Sequence, residues 1–295
     1  MTTHSYDWRN GGRGTLSVGG VTLETISWGP PPGEADTIVL LHEGLGSAGL
    51  WRDFPAALAA ATGHGVFAYS RQGYGQSDPA PLPRPLDYMS REATEVLPGV
   101  LTAIGFERGI LLGHSDGATI AAIYAGTVQD HRIRGLALIA PHFFTEDSGL
   151  AAVRDAKTAF ETGDLRGRMA KHHRDPDNAF RGWSDAWLDP AFREWDVTEV
   201  IDYLRIPTLA IQGTGDPYGT AAQVEVIDER AYSPVDLTFI DGAGHAPHLE
   251  APQGTLAALG GFVARLDRIE AETVDATAAP TVSGEEGDTA IAKST

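Results

Sequence analysis

Short β-rich runs alternate with helical patterns along almost the whole chain, and this alternation limits the fold more than any other feature. Thr37-Ile38-Val39-Leu40-Leu41 and Gly65-Val66-Phe67-Ala68-Tyr69 are continuous apolar runs, the pattern of strands buried on both faces. Gly109–Leu112 and Ile133–Ala140 repeat it, and Pro207–Ile211 and Asp236–Ile240 resume it later. Helical stretches separate these runs: about Trp51–Ala61, Leu86–Ile104 with a break expected at Pro98, Ala118–Ala125, Ala221–Arg230 and Gln253–Ile269. Gly14–Trp28, turning at Gly19-Gly20, reads as an opening antiparallel hairpin. Such alternation implies an α/β fold, a mostly parallel sheet covered by helices on both faces.

The rhythm stops between residues 143 and 204. That stretch is helical in pattern and rich in aromatics, among them Phe143, Phe144, Trp183 and Trp187. It reads as a helical cap inserted into a core made of residues 1–142 and 205–271. Residues 272–295 are Thr, Ala, Gly, Ser and acid without periodicity, and are expected to form a disordered acidic tail.

Composition excludes several chemistries. With no cysteine there is no disulfide, zinc-thiolate site or thiol nucleophile. A formal charge of −18 argues against nucleic acid and anionic membranes as partners. Neither a basic-then-apolar leader nor an apolar run of about 18 residues is visible, so a cytoplasmic location is expected. No metal is expected at His172-His173, whose side chains diverge on any regular element, or at His245–His248, which lacks a carboxylate set around it. Oligomeric state is not written in the sequence.

Gly113-His114-Ser115-Asp116-Gly117 joins the 109–112 run to the 118–125 helix. Strand, sharp turn and helix is the context of the G-x-S-x-G elbow, which exposes a serine hydroxyl at the sheet edge and needs small flanks. A serine needs a base, and the base needs an orienting group. Gly213-Thr214-Gly215-Asp216-Pro217 ends one later strand with a carboxylate, and Gly242-Ala243-Gly244-His245-Ala246-Pro247 ends the next with an imidazole. Alone, Asp216 reads as a turn former and His245 as a loop histidine. Together with Ser115, in that order, they read as a catalytic triad. His248 is the rival base and Asp202 the rival acid.

With Leu41-His42-Glu43-Gly44-Leu45-Gly46-Ser47 after the 37–41 strand, and Ser70-Arg71-Gln72-Gly73-Tyr74-Gly75-Gln76-Ser77, the pattern over roughly residues 14–270 resembles the α/β-hydrolase superfamily, specifically its cap-bearing serine hydrolases. The resemblance implies an eight-stranded sheet and an oxyanion hole built from the N–H groups of Gly44, or Leu45, and Asp116. It implies no cofactor and a small ester-like molecule as partner. Glu43 departs from the usual His-Gly pair, and either faces the anionic intermediate or folds back onto its loop. Other expected pocket residues are His42, His114, Phe143, Phe144, Trp183, Trp187 and Tyr218.

The implied activity is hydrolysis of a small carboxylic ester or lactone through an acyl-enzyme on Ser115. One alternative is carbon–carbon bond hydrolysis of the meta-cleavage-product type, with Arg71, Arg174 or Arg181 binding a substrate carboxylate. The other is a hydrolase-fold binding protein or receptor. A carboxylate nucleophile at Asp116, as in dehalogenase and epoxide hydrolase relatives, conflicts with the frame set by Gly113 and Gly117.

Overall fold

The apolar runs form the middle of one sheet. The computed structural model describes residues 6–278 of the chain. Strands β1 (Gly12–Val18) and β2 (Val21–Trp28) make the antiparallel hairpin. β3 (Thr37–Leu41), a 3-10 turn at Ala48–Trp51, α1 (Phe54–Thr62) and β4 (Gly65–Tyr69) follow. α2 (Tyr88–Arg91) passes through a π turn at Glu92–Val96 into α3 (Leu97–Ala103). β5 (Gly109–His114) meets α4 (Asp116–Thr127) at Ser115, and β6 (Ile133–Ile139) comes next.

Helices α5 (Asp147–Thr162), α6 (Leu165–Met169) and α7 (Pro176–Trp187), with 3-10 segments Pro190–Glu194 and Thr198–Tyr203, fill the interval before β7 (Thr208–Gly213). The chain closes with α8 (Ala222–Arg230), β8 (Val235–Ile240), α9 (Pro247–Glu250) and α10 (Pro252–Ala278). The expected tail therefore begins inside α10, and residues 279–295 lie outside the described residues.

The strand order is β1-β2-β4-β3-β5-β6-β7-β8, parallel from β4 to β8. Strand side chains alternate between two cores. Val39, Leu41, Leu111 and Leu136 join a core with α2, α3 and α4, whereas Ile38, Leu40, Ile110 and Ala137 join one with α1 and α10. Two expected helices are interrupted. Near Trp51 the chain turns at Arg52 (φ 54°) before α1 starts. The 86–104 helix widens at 92–96, just where the Pro98 ring would collide with the Thr94 carbonyl.

The chain goes from β3 to β4 on one side and then to β5 on the other. That reversal leaves a crevice at the carboxyl ends of β3 and β5, the usual binding place in open parallel sheets. The loops after β3, β5, β6, β7 and β8 all converge there.

Candidate active site

Ser115 occupies the turn between β5 and α4 with φ 54° and ψ −121°, a conformation costly for a residue with a side chain. Its N–H donates to the Ile139 carbonyl at 2.9 Å, and its carbonyl accepts from Ala118 N–H at 2.8 Å, so the strain is held from both sides. The flanking glycines are required by contact. A Cβ on Gly113 would lie 2.2 Å from the Gly117 carbonyl oxygen, and one on Gly117 would lie 2.0 Å from that of Leu41.

Asp216, in the turn after β7, has an almost fully buried side chain. Its Oδ1 accepts from Tyr218 N–H at 2.8 Å, and its Oδ2 accepts from Gln212 Nε2 and from His245 Nδ1, each at 2.8 Å. Burial opposes ionisation, yet the hydrogen bond and charge of His245 hold this carboxyl below the usual range. A carboxylate can only accept, so Nδ1 of His245 carries a proton, and in the neutral ring that leaves the lone pair on Nε2. Tyr218 covers the His245 ring, with centroids 4.7 Å apart.

The loop after β3 is tied from behind. His42 Nδ1 donates to the Glu43 carbonyl at 2.7 Å, and its Nε2 accepts from Arg71 N–H at 3.0 Å. This ring is neutral: burial and the Arg71 charge push its pKa well down. The fully buried Arg71 guanidinium donates to the carbonyls of His42 and Glu43, the latter at 3.0 Å. His173 accepts from Gly75 N–H at 3.0 Å and donates to the Leu45 carbonyl at 3.1 Å. In a trans peptide the C=O and the following N–H point to opposite sides. With the Glu43 carbonyl fastened behind, the Gly44 N–H turns to the front, and Gly44 lines the cavity. Asp116 is the first residue of α4, where an N–H has no partner within the helix.

Glu43 does not simply fold back on its loop. Its Oε2 lies over Gly46 and 3.4 Å from His114 Nδ1, while His114 Nε2 donates to the His245 carbonyl at 2.7 Å. Burial works to raise the Glu43 pKa, but contact with His114 holds it below the carboxylate range. The carboxyl thus links the β3 loop, the elbow and the histidine loop.

A cavity of about 90 Å³ opens onto Ser115 and His245. Of the expected pocket residues, Glu43, Trp183, Trp187 and Tyr218 line it, together with Gly44 and Leu45. Four other expectations need correction. His42 and His114 stand behind the wall, occupied by the bonds above. Phe143 is wholly buried in the core, its N–H donating to Gln223 at 2.7 Å, and Phe144 bridges to Asp196, so neither reaches the cavity. His142 takes that place instead, beside His245 and Trp187 at centroid distances of 5.6 and 5.3 Å. Burial and the charge of His245 push its pKa down to about 3. The sequence signal was available, since His142 follows β6 just as Asp216 follows β7. Gly149 and Val153 of α5 also line the cavity, which only packing reveals. His248 packs on Trp51, Phe54 and His114, away from the cavity.

Arg174 pairs with Asp78, and Arg181 borders a separate surface groove between α5 and α7. Asp116 has a fully buried side chain that accepts a hydrogen bond from the Tyr88 phenol, which in turn accepts from Trp187 Nε1 at 3.0 Å. Among the described residues no helix is long and apolar enough to cross a membrane.

Comparison with known proteins agrees with this architecture. Epoxide hydrolase B of Mycobacterium tuberculosis (strain ATCC 25618 / H37Rv) is 27% identical over 227 residues, covering 75% of this chain and 60% of its own length. This chain thus spans less than two thirds of that relative. The meta-cleavage product hydrolase from Pseudomonas fluorescens IP01 superposes with a TM-score of 0.70 at 19% identity, covering 85% of this chain and 97% of that one. The enol-lactonase from Burkholderia xenovorans LB400 gives 0.67 at 19% identity, over 85% of this chain and all of the other. At such identities the two structures share a fold. The sequence pattern of the alpha/beta hydrolase family goes further, matching residues 38–259, and on that match the chain belongs to the alpha/beta hydrolase family.

Proposed function

We propose that the protein is a cofactor-free serine hydrolase of small carboxylic esters or lactones. The observation that carries this reading is the Asp216–His245 hydrogen bond of 2.8 Å on the same cavity as the strained Ser115. His245 Nε2 takes the Ser115 proton as Oγ adds to the carbonyl carbon. The oxyanion is held by the N–H groups of Gly44 and Asp116. Collapse expels the alcohol, which receives its proton from His245. Water then adds to the acyl-enzyme with His245 again as base, releasing the acid and restoring Ser115. The small cavity, walled by Leu45, Val153 and two indoles, favours short acyl groups.

Carbon–carbon hydrolysis of a carboxylate-bearing substrate has less support. Among the cavity's lining residues there is no Arg or Lys, and Glu43 contributes negative charge. A carboxylate nucleophile has less still, because the Asp116 side chain is buried and engaged with Tyr88. The test is hydrolysis of p-nitrophenyl acetate and butyrate by the wild type and Ser115→Ala. A loss of about 10³-fold or more is expected in the variant; comparable turnover would sink the serine mechanism. A wild type that neither turns over esters nor reacts with a fluorophosphonate would favour the receptor reading.

A further inference from the structure

Helix α7 turns two indoles, Trp183 and Trp187, toward the cavity one helical turn apart. Their N–H groups differ in one respect. Trp187 Nε1 donates to the Tyr88 hydroxyl at 3.0 Å, so its donor is spent inside the wall. Trp183 Nε1 has no acceptor among the described residues, although the residue is only 6% exposed. An indole N–H normally finds a partner, and one left open at a cavity wall, where only water can satisfy it, points to a ligand that would take the water's place.

The position of this donor is narrow. A Cβ on Gly44 would fall 2.2 Å from Trp183 Nε1, so the indole edge lies directly against the Gly44 backbone. On the proposed ester-hydrolase reading, on which this inference rests, both oxygens of the scissile ester are already committed. The carbonyl oxygen belongs to the Gly44 and Asp116 N–H groups, and the leaving oxygen must face His245 to receive its proton. The indole donor is therefore left for a third acceptor.

We infer that Trp183 is a specificity-determining residue whose N–H binds an additional oxygen of the substrate, such as an ether, keto or hydroxyl oxygen, within one or two bonds of the scissile carbonyl. When substrate displaces water from the cavity, a molecule without that oxygen leaves the donor buried and unpaired. The preferred substrates are thus short, oxygenated esters or lactones rather than plain alkanoates.

The esters p-nitrophenyl methoxyacetate and p-nitrophenyl butyrate test this, because they match in chain length and differ by one ether oxygen. Comparing Trp183→Phe with wild type on each ester cancels the difference in their intrinsic reactivity. The methoxyacetate kcat/KM should fall roughly five- to tenfold, the yield of one neutral hydrogen bond, while that of butyrate changes much less. An equal fall on both esters overturns the inference and leaves Trp183 as packing or as a general oxyanion donor. A second measurement leaves Trp183 untouched. In Ser115→Ala protein, the Trp183 indole ¹H–¹⁵N resonance should move with methoxyacetate ester and stay with butyrate; equal shifts again overturn it. Absence of any Ser115-dependent turnover in the wild type would instead bring down the ester-hydrolase reading itself.

Discussion

Replacing Ser115 by glycine should give a more stable protein than replacing it by alanine, the reverse of the usual order for these two residues. Ser115 lies at φ 54° and ψ −121°, the region of the first central residue of a type II′ turn, where glycine is at home. Holding a residue with a Cβ there costs about 1–3 kcal/mol. Alanine keeps the Cβ and the strain; glycine removes both. Against this, glycine gives the unfolded chain extra freedom, worth about 0.4–1 kcal/mol. The Ser115 side chain makes no capping hydrogen bond to α4, so both variants forgo the same contacts. The net advantage of glycine is about 1 kcal/mol, a shift of roughly 2 °C in a chain of this size. Urea denaturation at constant m-value reads it directly. Arg52 has almost the same backbone, φ 54° and ψ −127°, and supplies an independent comparison outside the site. Arg52→Gly should likewise exceed Arg52→Ala. If Ser115→Gly is no more stable than Ser115→Ala, with m unchanged, the strain argument is wrong.

Two further outcomes are expected. Arg71→Met should cost about 3–5 kcal/mol, because it leaves the His42 and Glu43 carbonyls short of donors and takes from the buried Asp116 and Glu92 carboxyls the stronger-acting of two cations, Arg84 being the other; a change under about 1 kcal/mol by urea titration would remove the claim that Arg71 anchors the loop. His142 titrates at about 3 when folded and near 6.5 when unfolded, so between these values the unfolded chain binds more protons. Its stability contribution is whole above pH 6.5 and declines as pH falls toward 3. At pH 5 the loss is about 2 kcal/mol, and His142→Gln should flatten the pH 5–7 dependence of stability by that amount. Equal slopes in the two proteins would show that His142 is not the group concerned.

The strands and the elbow were legible in the sequence because each depends on local pattern. Five-residue apolar runs of β-branched and aromatic residues are too short for a helix and suit a doubly covered strand, and Gly113 and Gly117 mark a turn whose two flanks have no room for side chains. Asp216 and His245 were legible because strand ends follow from strands. The cavity wall was not legible in the same way. Phe143 and His142 are adjacent, yet β6 ends so that one enters the core and the other the site, and a shift of one residue would exchange them. Nor could the sequence pair Glu43 with His114, residues 71 positions apart brought to 3.4 Å only because β3 and β5 are neighbours in the sheet. The sequence by itself determined the fold family and the likeness to a serine triad, since these rest on periodicity and short motifs. Tertiary structure alone decided that, of the two indoles in the cavity wall, Trp187 spends its N–H on Tyr88 and Trp183 does not, because whether a donor is free depends on every acceptor that packing brings within reach.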